Sequence, residues 1–408
     1  MSTEDWRRVP VGPDARRWVT RGECKTVLVI VHTVTSGQRL LDAVHLIESD
    51  LRIQVVYTKA PDVFSNGVST FLRYVGGVVL PWQQATRTGF DVTLTASLGG
   101  LHDIQAPLVV LPHGAGFNKL AVRRTQGMAV GSRLTYGLDP QRLVHDGALV
   151  PAALVLAHRA ELRRLSVTCP EALPAAVVVG DPCFDRLAAS RADQQAYRSA
   201  LGVPADRRLV VVSSTWGPGS LLGRRFDLLP RLLRELPSDR YRVLALVHPN
   251  VWFGHGSRQL RAWLADCLNA GLCLLPPDAD WRAALAAADC VIGDHGSVTL
   301  YGAAAGVPVL SAGFPAAEVD PDSAMAELAE TAPLLAEDAP VRPAIEKAFA
   351  EFHPHLHRRA VQQITSAPGR FNRNMRQLLY RLLGLAQPAT LPVTRPVPAA
   401  VLDGLELI

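Results

Sequence analysis

Residues 289–310 read DCVIGDHGSVTLYGAAAGVPVL, and the fold class follows from how that stretch must break. Cys290, Val291 and Ile292 form a short apolar run suited to a strand buried in a parallel sheet. Asp294-His295-Gly296-Ser297 places small and polar residues where the chain has to turn. Residues 298–305 are rich in helix formers and stop at Gly306, where a left-handed residue ends a helix. Val307-Pro308 prevents continuation, and Val309-Leu310-Ser311 starts another strand. Strand, tight turn, helix and strand in succession predict an open α/β sheet, which binds ligands at the carboxyl ends of its strands. The first helical turn aims the N–H groups of Gly296, Ser297 and Val298 at that edge, an arrangement that attracts phosphate. The alternative reading is that Asp294 and Ser297 merely cap a structural helix.

The same alternation extends in both directions. Apolar runs at 209–213, 241–247, 272–275, 290–292 and 309–311 predict one series of strands, with helical spacing over 227–236 and 259–270. An earlier series falls at 26–32, 53–57, 92–96, 108–111, 151–158 and 176–179, with a helix over 38–49 and an irregular stretch over 59–82. No short fixed period recurs, which excludes a solenoid. The expected organisation is an N-terminal lead (1–22), a Rossmann-like acceptor domain (23–175), a Rossmann-like donor domain (176–365), a helix (366–385) and a loose Pro/Ala-rich tail (386–408). Within the helix, Phe371, Met375, Leu378, Leu379, Leu382 and Leu383 share one face with arginines outside it. That face predicts either docking on the protein or contact with a membrane surface.

Composition narrows the function classes. With 408 residues the chain exceeds one ordinary core. No apolar run approaches the ~18 residues a spanning helix requires. Early acidic residues and the lack of an apolar segment near Met1 argue against a secretory signal, so a cytoplasmic location is expected. The six cysteines form no CxxC pair and read as reduced core residues. The net charge of +5 is carried almost wholly by dispersed arginines, which suits a small anionic substrate or an anionic membrane surface and does not favour nucleic acid. Lysine occurs only at positions 25, 59, 119 and 347, so Lys119 near a strand end stands out.

Further strand ends carry chemistry-bearing residues. Pro112-His113-Gly114 follows the strand at 108–111, where an imidazole suits general-base work and the glycine allows close approach. His248-Pro249-Asn250 follows 241–247, and His248 can hydrogen-bond a phosphate oxygen. Ser214-Thr215-Trp216-Gly217 follows 209–213 and can wrap a phosphate or ribose as a backbone nest. Gly180-Asp181-Pro182-Cys183-Phe184-Asp185 reads mainly as a domain-joining turn. Arg224 and Arg225 read as a solvated face within reach of a diphosphate, and each of these histidines singly also fits a role in satisfying loop carbonyls. His353, His355 and His357 suggest metal, but Pro354 interrupts them and no carboxylate or cysteine completes a set, so no metal site is expected.

The order HG-x4-K at His113, GDPCFD at Gly180, Thr215-Trp216, His248-Pro249 and D-x-GS-x4-G at Asp294 resembles glycosyltransferase-B-fold enzymes, most closely the CDP-glycerol glycerophosphotransferase (teichoic-acid polymerase-like) family. The resemblance covers most of residues 100–312. It implies two facing Rossmann-like domains with parallel sheets and a C-terminal helix returning to the first. It also implies a transferase moving a glycerophosphate-like or glycosyl group from a nucleotide-diphosphate donor to an acceptor hydroxyl. By the same resemblance His113 is the base, His248 contacts the donor diphosphate, Gly296, Ser297 and Val298 hold the donor phosphates, and Thr215 and Trp216 border the nucleotide. Ser214, Gly217, Asp294 and His295, beside them in the two turns, complete the expected donor site. Gly114, Lys119 and Asn250 line the rest of the cleft, and the donor acts as co-substrate with no required cofactor. The chain departs from the family pattern in Pro112 before the HG pair, in His295-Gly296 after the aspartate, and in lacking a carboxylate over 301–305. The His248-Pro249-Asn250 triplet is also similar to UDP-sugar epimerases, and a non-catalytic nucleotide-sugar-binding scaffold is the third reading.

Overall fold

The computed structural model describes residues 7–12, 15, 17–121 and 133–399. Parts of the expected lead (1–6, 13, 14 and 16) and of the tail (400–408) lie outside them. The strands are β1 (Lys25–Val31), β2 (Ile53–Lys59), β3 (Val79–Leu80), β4 (Val92–Thr95), β5 (Leu108–Val110), β6 (Val144–His145), β7 (Ala148–Leu149), β8 (Ala153–Leu156) and β9 (Ala176–Val178). Then follow β10 (Arg208–Ser214), β11 (Tyr241–Val247), β12 (Cys273–Leu274), β13 (Cys290–Gly293) and β14 (Val309–Ser311). Two parallel sheets result, ordered β3-β2-β1-β4-β5-β8-β9 and β12-β11-β10-β13-β14, with β6 and β7 a separate antiparallel pair. Both main sheets reverse direction of growth beside their first strand, the Rossmann arrangement.

Each sheet anchors one compact unit. Among the described residues, the first falls within 1–117, 121–182 and 366–393, and the second within 118–120, 183–365 and 394–408. Because β9 completes the first sheet, the first unit continues to Pro182, whereas the sequence reading began the second domain at 176. Leu28, Ile30, Leu154 and Leu156 lie in the first core, and Val210, Val212, Cys290 and Ile292 in the second. These strands are near-continuous apolar runs because helices cover both faces.

Several boundaries moved for local reasons. The first helix is Val34–Val44 and not 38–49, because Thr33 caps it through a capping box with Ser36. Within 59–82, Val68–Val75 is a helix ended by left-handed Gly76. The next residue, Gly77, lies so close to the Tyr57 ring that a Cβ would sit 2.3 Å from it, which lets β3 reach β2. The stretch 259–270 divides into Ser257–Trp263 and Ala265–Asn269.

The Phe371–Leu383 helix belongs to the first unit. Phe371, Met375, Leu378, Leu379, Tyr380 and Leu383 are buried. Tyr380 donates to Asp50 at 2.7 Å, and the Asn374 side chain donates to the Val179 carbonyl. At about 1.5–3 kcal/mol for each large side chain, burial commits that face to the protein. The membrane-surface alternative for 371–383 is therefore corrected, since the apolar stripe it needs is already covered. No helix among the described residues is long and apolar enough to cross a membrane. The tail expected to be loose is pinned in the second unit at buried Val397, which accepts from the Tyr197 hydroxyl and donates to Ser190 Oγ.

Candidate functional site

The second unit gathers its candidates where β10 and β13, adjacent in the sheet, reach their carboxyl ends. Asp294 is buried beneath the turn and accepts three backbone hydrogen bonds. Thr215 and Leu221 donate to Oδ2 at 2.9 and 2.8 Å, and Gly296 donates to Oδ1 at 3.0 Å. One carboxylate thus fixes the loop after β10, the start of the next helix and its own turn. Burial raises its pKa, against the pull of those three donors and the Lys119 charge. Asp294 was expected to hold donor phosphates, but here its oxygens face backbone N–H groups and its place is beneath them.

Gly296 is the N-cap of the Ser297–Ala305 helix and offers no side-chain oxygen to the first-turn N–H groups. The alternative reading of Asp294 as a helix cap is thereby corrected, although its bond to Gly296 does shape the turn. A Cβ at position 296 would meet Asp294 Oδ1 and Thr215 Cβ at 3.2 Å, so the close approach of the two loops favours glycine. His295 is 3% exposed and stands 3.6 Å from Glu318. That separation qualifies as an ion pair only for a protonated ring. Burial, with the nearby Lys119 charge, pushes the imidazole down to about 4, so the ring is neutral and the pair is not ionic.

Thr215 is buried, Trp216 is partly exposed, and Gly217 takes a left-handed conformation (φ 90°). The Ser214 hydroxyl donates to the Thr215 carbonyl and accepts from Leu222 N. Lys119 belongs here and not with the acceptor domain. Residues 118–120 pair antiparallel with 318–320, through Leu120 N to the Glu318 carbonyl and Asp320 N to the Asn118 carbonyl, both 2.9 Å. Its ammonium lies 5.9 Å from the Trp216 ring centre, with the Asp294 and Glu318 charges nearby. Among the described residues none forms an ion pair with it. Burial lowers its pKa, so an incoming anion would relieve a charge that the protein has half desolvated.

His248 is the N-cap of the Pro249–His255 helix, and its Nδ1 accepts from Asn250 N at 3.1 Å. An accepting Nδ1 leaves the proton of the neutral ring on Nε2. His248 thus presents a donor, and its ring centre lies 6.5 Å from that of Trp216. Asn250 takes part through its backbone.

His113 and Gly114 stand in the first unit, just past β5, and His113 is exposed. The loop behind it is clamped. The Gly114 carbonyl accepts from Gly116 N at 2.9 Å and from Arg39 Nη2 at 2.7 Å. Fully buried Glu161 accepts from Phe117 N, Ala157 N and His158 N, and the Phe117 carbonyl accepts from Arg164. Gly116 is left-handed (φ 72°), and a Cβ there would fall 2.4 Å from Glu161 Oε1.

Arg39, Glu161 and Glu318 escaped the sequence reading because each acts far along the chain from the loop it holds. Only Asp181, quoted within GDPCFD, carried a local signal. Arg225, read as solvated, is buried and donates to the Leu335 carbonyl at 2.9 Å, while Arg224 is exposed. His357 turns inward to the Thr331 hydroxyl at 3.0 Å, away from exposed His353 and His355, and burial pushes its ring down to about 4. Five of the six cysteines are buried thiols and Cys24 is half-buried.

No family model and no curated protein matches the sequence. Among solved structures, the wall teichoic acid polymerase TagF is similar with a TM-score of 0.61 at 13% identity, covering 88% of this chain and 89% of that one. The structure of a TagF variant soaked with CDPG is similar with a TM-score of 0.59 at 14% identity, over the same shares. The fold is GT-B. Within this GT-B chain, the described site residues divide between the units. His113 and Gly114 lie in the first, whereas Ser214, Thr215, Trp216, Gly217, His248, Asn250, Asp294, His295, Gly296, Ser297, Val298 and Lys119 lie in the second.

Proposed function

We propose that the protein is a transferase that moves a glycerophosphate-like or glycosyl group from a nucleotide-diphosphate donor to an acceptor hydroxyl. The observation that carries this reading is the convergence, at the β10/β13 switch point, of the Thr215 loop, a glycine-capped helix start and the Lys119 ammonium. Such a crevice suits a phosphorylated ligand. The similarity to TagF, one variant of which was soaked with CDPG, supports the same donor class.

In this reading His113 takes the proton of the acceptor hydroxyl as its oxygen attacks. Attack at the β-phosphorus of a CDP-glycerol-like donor forms a P–O bond and breaks the phosphoanhydride, releasing a nucleoside monophosphate. Attack at the anomeric carbon of a nucleotide sugar forms a C–O bond and releases a nucleoside diphosphate. Either way negative charge gathers on the departing nucleotide. Lys119, the His248 Nε2–H and the first amides of the Ser297–Ala305 helix are the preorganised donors for that charge. The proton on His113 then passes to solvent.

The test is a panel of CDP-glycerol, CDP-ribitol and UDP-, GDP- and dTDP-sugars, scored by thermal shift and by acceptor-stimulated nucleotide release. The released nucleotide identifies the bond that breaks. Absence of a thermal shift with every donor overturns the reading. Interconversion of a UDP-sugar without acceptor identifies an epimerase, and binding without turnover identifies a scaffold.

A further inference from the structure

Two glycines within three residues make the segment after His113 intrinsically loose, because glycine loses more backbone freedom on ordering than other residues. Three side chains hold the segment. Glu161 and Arg164 act at Phe117, whereas Arg39 acts at Gly114, the residue that follows His113. Arg39 reaches the loop from the Val34–Val44 helix with its side chain only 4% exposed, and Asp181, whose side chain is 1% exposed, stands 3.3 Å from the same Nη2. Ion pairs this deeply buried are commonly replaceable by apolar residues of similar size without loss of stability. Stability alone therefore does not account for placing one against the backbone of this loop.

We propose that Arg39 is a positioning residue for His113: oriented by Asp181, it fixes the Gly114 carbonyl and with it the direction in which the imidazole leaves the loop. The proposal rests on the reading of His113 as the base. It predicts that the pair serves the acceptor half of the reaction and leaves donor binding, which belongs to the second unit, untouched. Lysine in place of Arg39 keeps a charge for Asp181 but replaces the rigid, planar guanidinium with a rotatable ammonium on a flexible stem, which does not fix the direction of its N–H groups.

The experiment compares wild type, Arg39→Lys and the double variant Arg39→Met/Asp181→Leu, which removes both buried charges together. A misplaced base lowers kcat for acceptor-dependent transfer roughly 10- to 100-fold, and donor KM is expected to stay within about twofold. Unchanged kcat in Arg39→Lys, or an equal loss in kcat and donor affinity, overturns the proposal. A second readout needs no turnover. In a histidine-labelled sample, the ring Cε1–H signal of His113, assigned by its loss in His113→Ala, is expected to shift or broaden in Arg39→Lys. An unmoved His113 signal overturns the positioning role even if no donor is ever turned over. Absence of turnover in wild type, with the signal moved, counts against the transferase reading alone. If the double variant fails to fold, Arg39→Lys carries both measurements.

Discussion

His113 and His295 each follow a strand of a parallel sheet at its carboxyl end, yet they meet opposite surroundings. His113 stands exposed on a loop whose backbone is clamped from behind. His295 is buried, pushed down to about 4, and neutral. The first unit therefore presents an exposed imidazole. The second presents backbone amides and an ammonium beside a buried, neutral imidazole. A strand end followed by histidine is thus not a chemical statement by itself, because burial decides whether the ring acts or packs.

The most severe way to break this contrast is His113→Ala. Transfer is expected to fall by about a thousandfold, within the range for loss of a general base, while thermal shift by donor stays as in wild type. Retained turnover would remove the exposed histidine from the chemistry. Asp294→Ala comes next, since three buried N–H groups lose their acceptor. Stability in urea is expected to drop by about 3 kcal/mol or more, with loss of donor binding. A loss under about 1 kcal/mol with donor affinity retained would show that the turn does not depend on that carboxylate.

Acid sharpens the comparison. His295 and His357 have folded pKa values of about 4, below the ordinary 6.5. Between those values the unfolded chain binds more protons than the folded one, so stability falls as pH drops from 6.5 to 4. Each ring contributes on the order of 2–3 kcal/mol to that loss. Denaturant melts across the window should become flatter in His357→Phe, and an unchanged slope would contradict the burial account. The smallest expected effect is that of Lys119→Met, which should weaken donor binding about tenfold. Titration calorimetry at two salt concentrations checks it.

The parallel sheets were legible because β1, β10, β11 and β13 are long or unbroken apolar runs bounded by turns. The Thr215, Asp294 and His248 turns were legible too, since each directly follows such a run. A two-residue strand such as β3 carries no period to read. Three other features were hidden because they come from pairings distant in sequence. Arg39 meets Gly114, Glu161 meets Phe117, and the Lys119 segment pairs with 318–320. Asp294 was legible as a turn residue but not in its orientation, which depends on two loops converging.

The excursion of residues 118–120 into the second unit has a practical consequence. Each unit is assembled from three separate segments, so neither corresponds to one continuous piece of the gene. A fragment stopping at Pro182 would strip away the Phe371–Leu383 helix and uncover the surface it shields. A fragment starting at Cys183 would leave the 318–320 edge without its partner. Swapping halves between relatives, or expressing one half for binding work, thus calls for permuted or co-expressed segments in place of simple truncation.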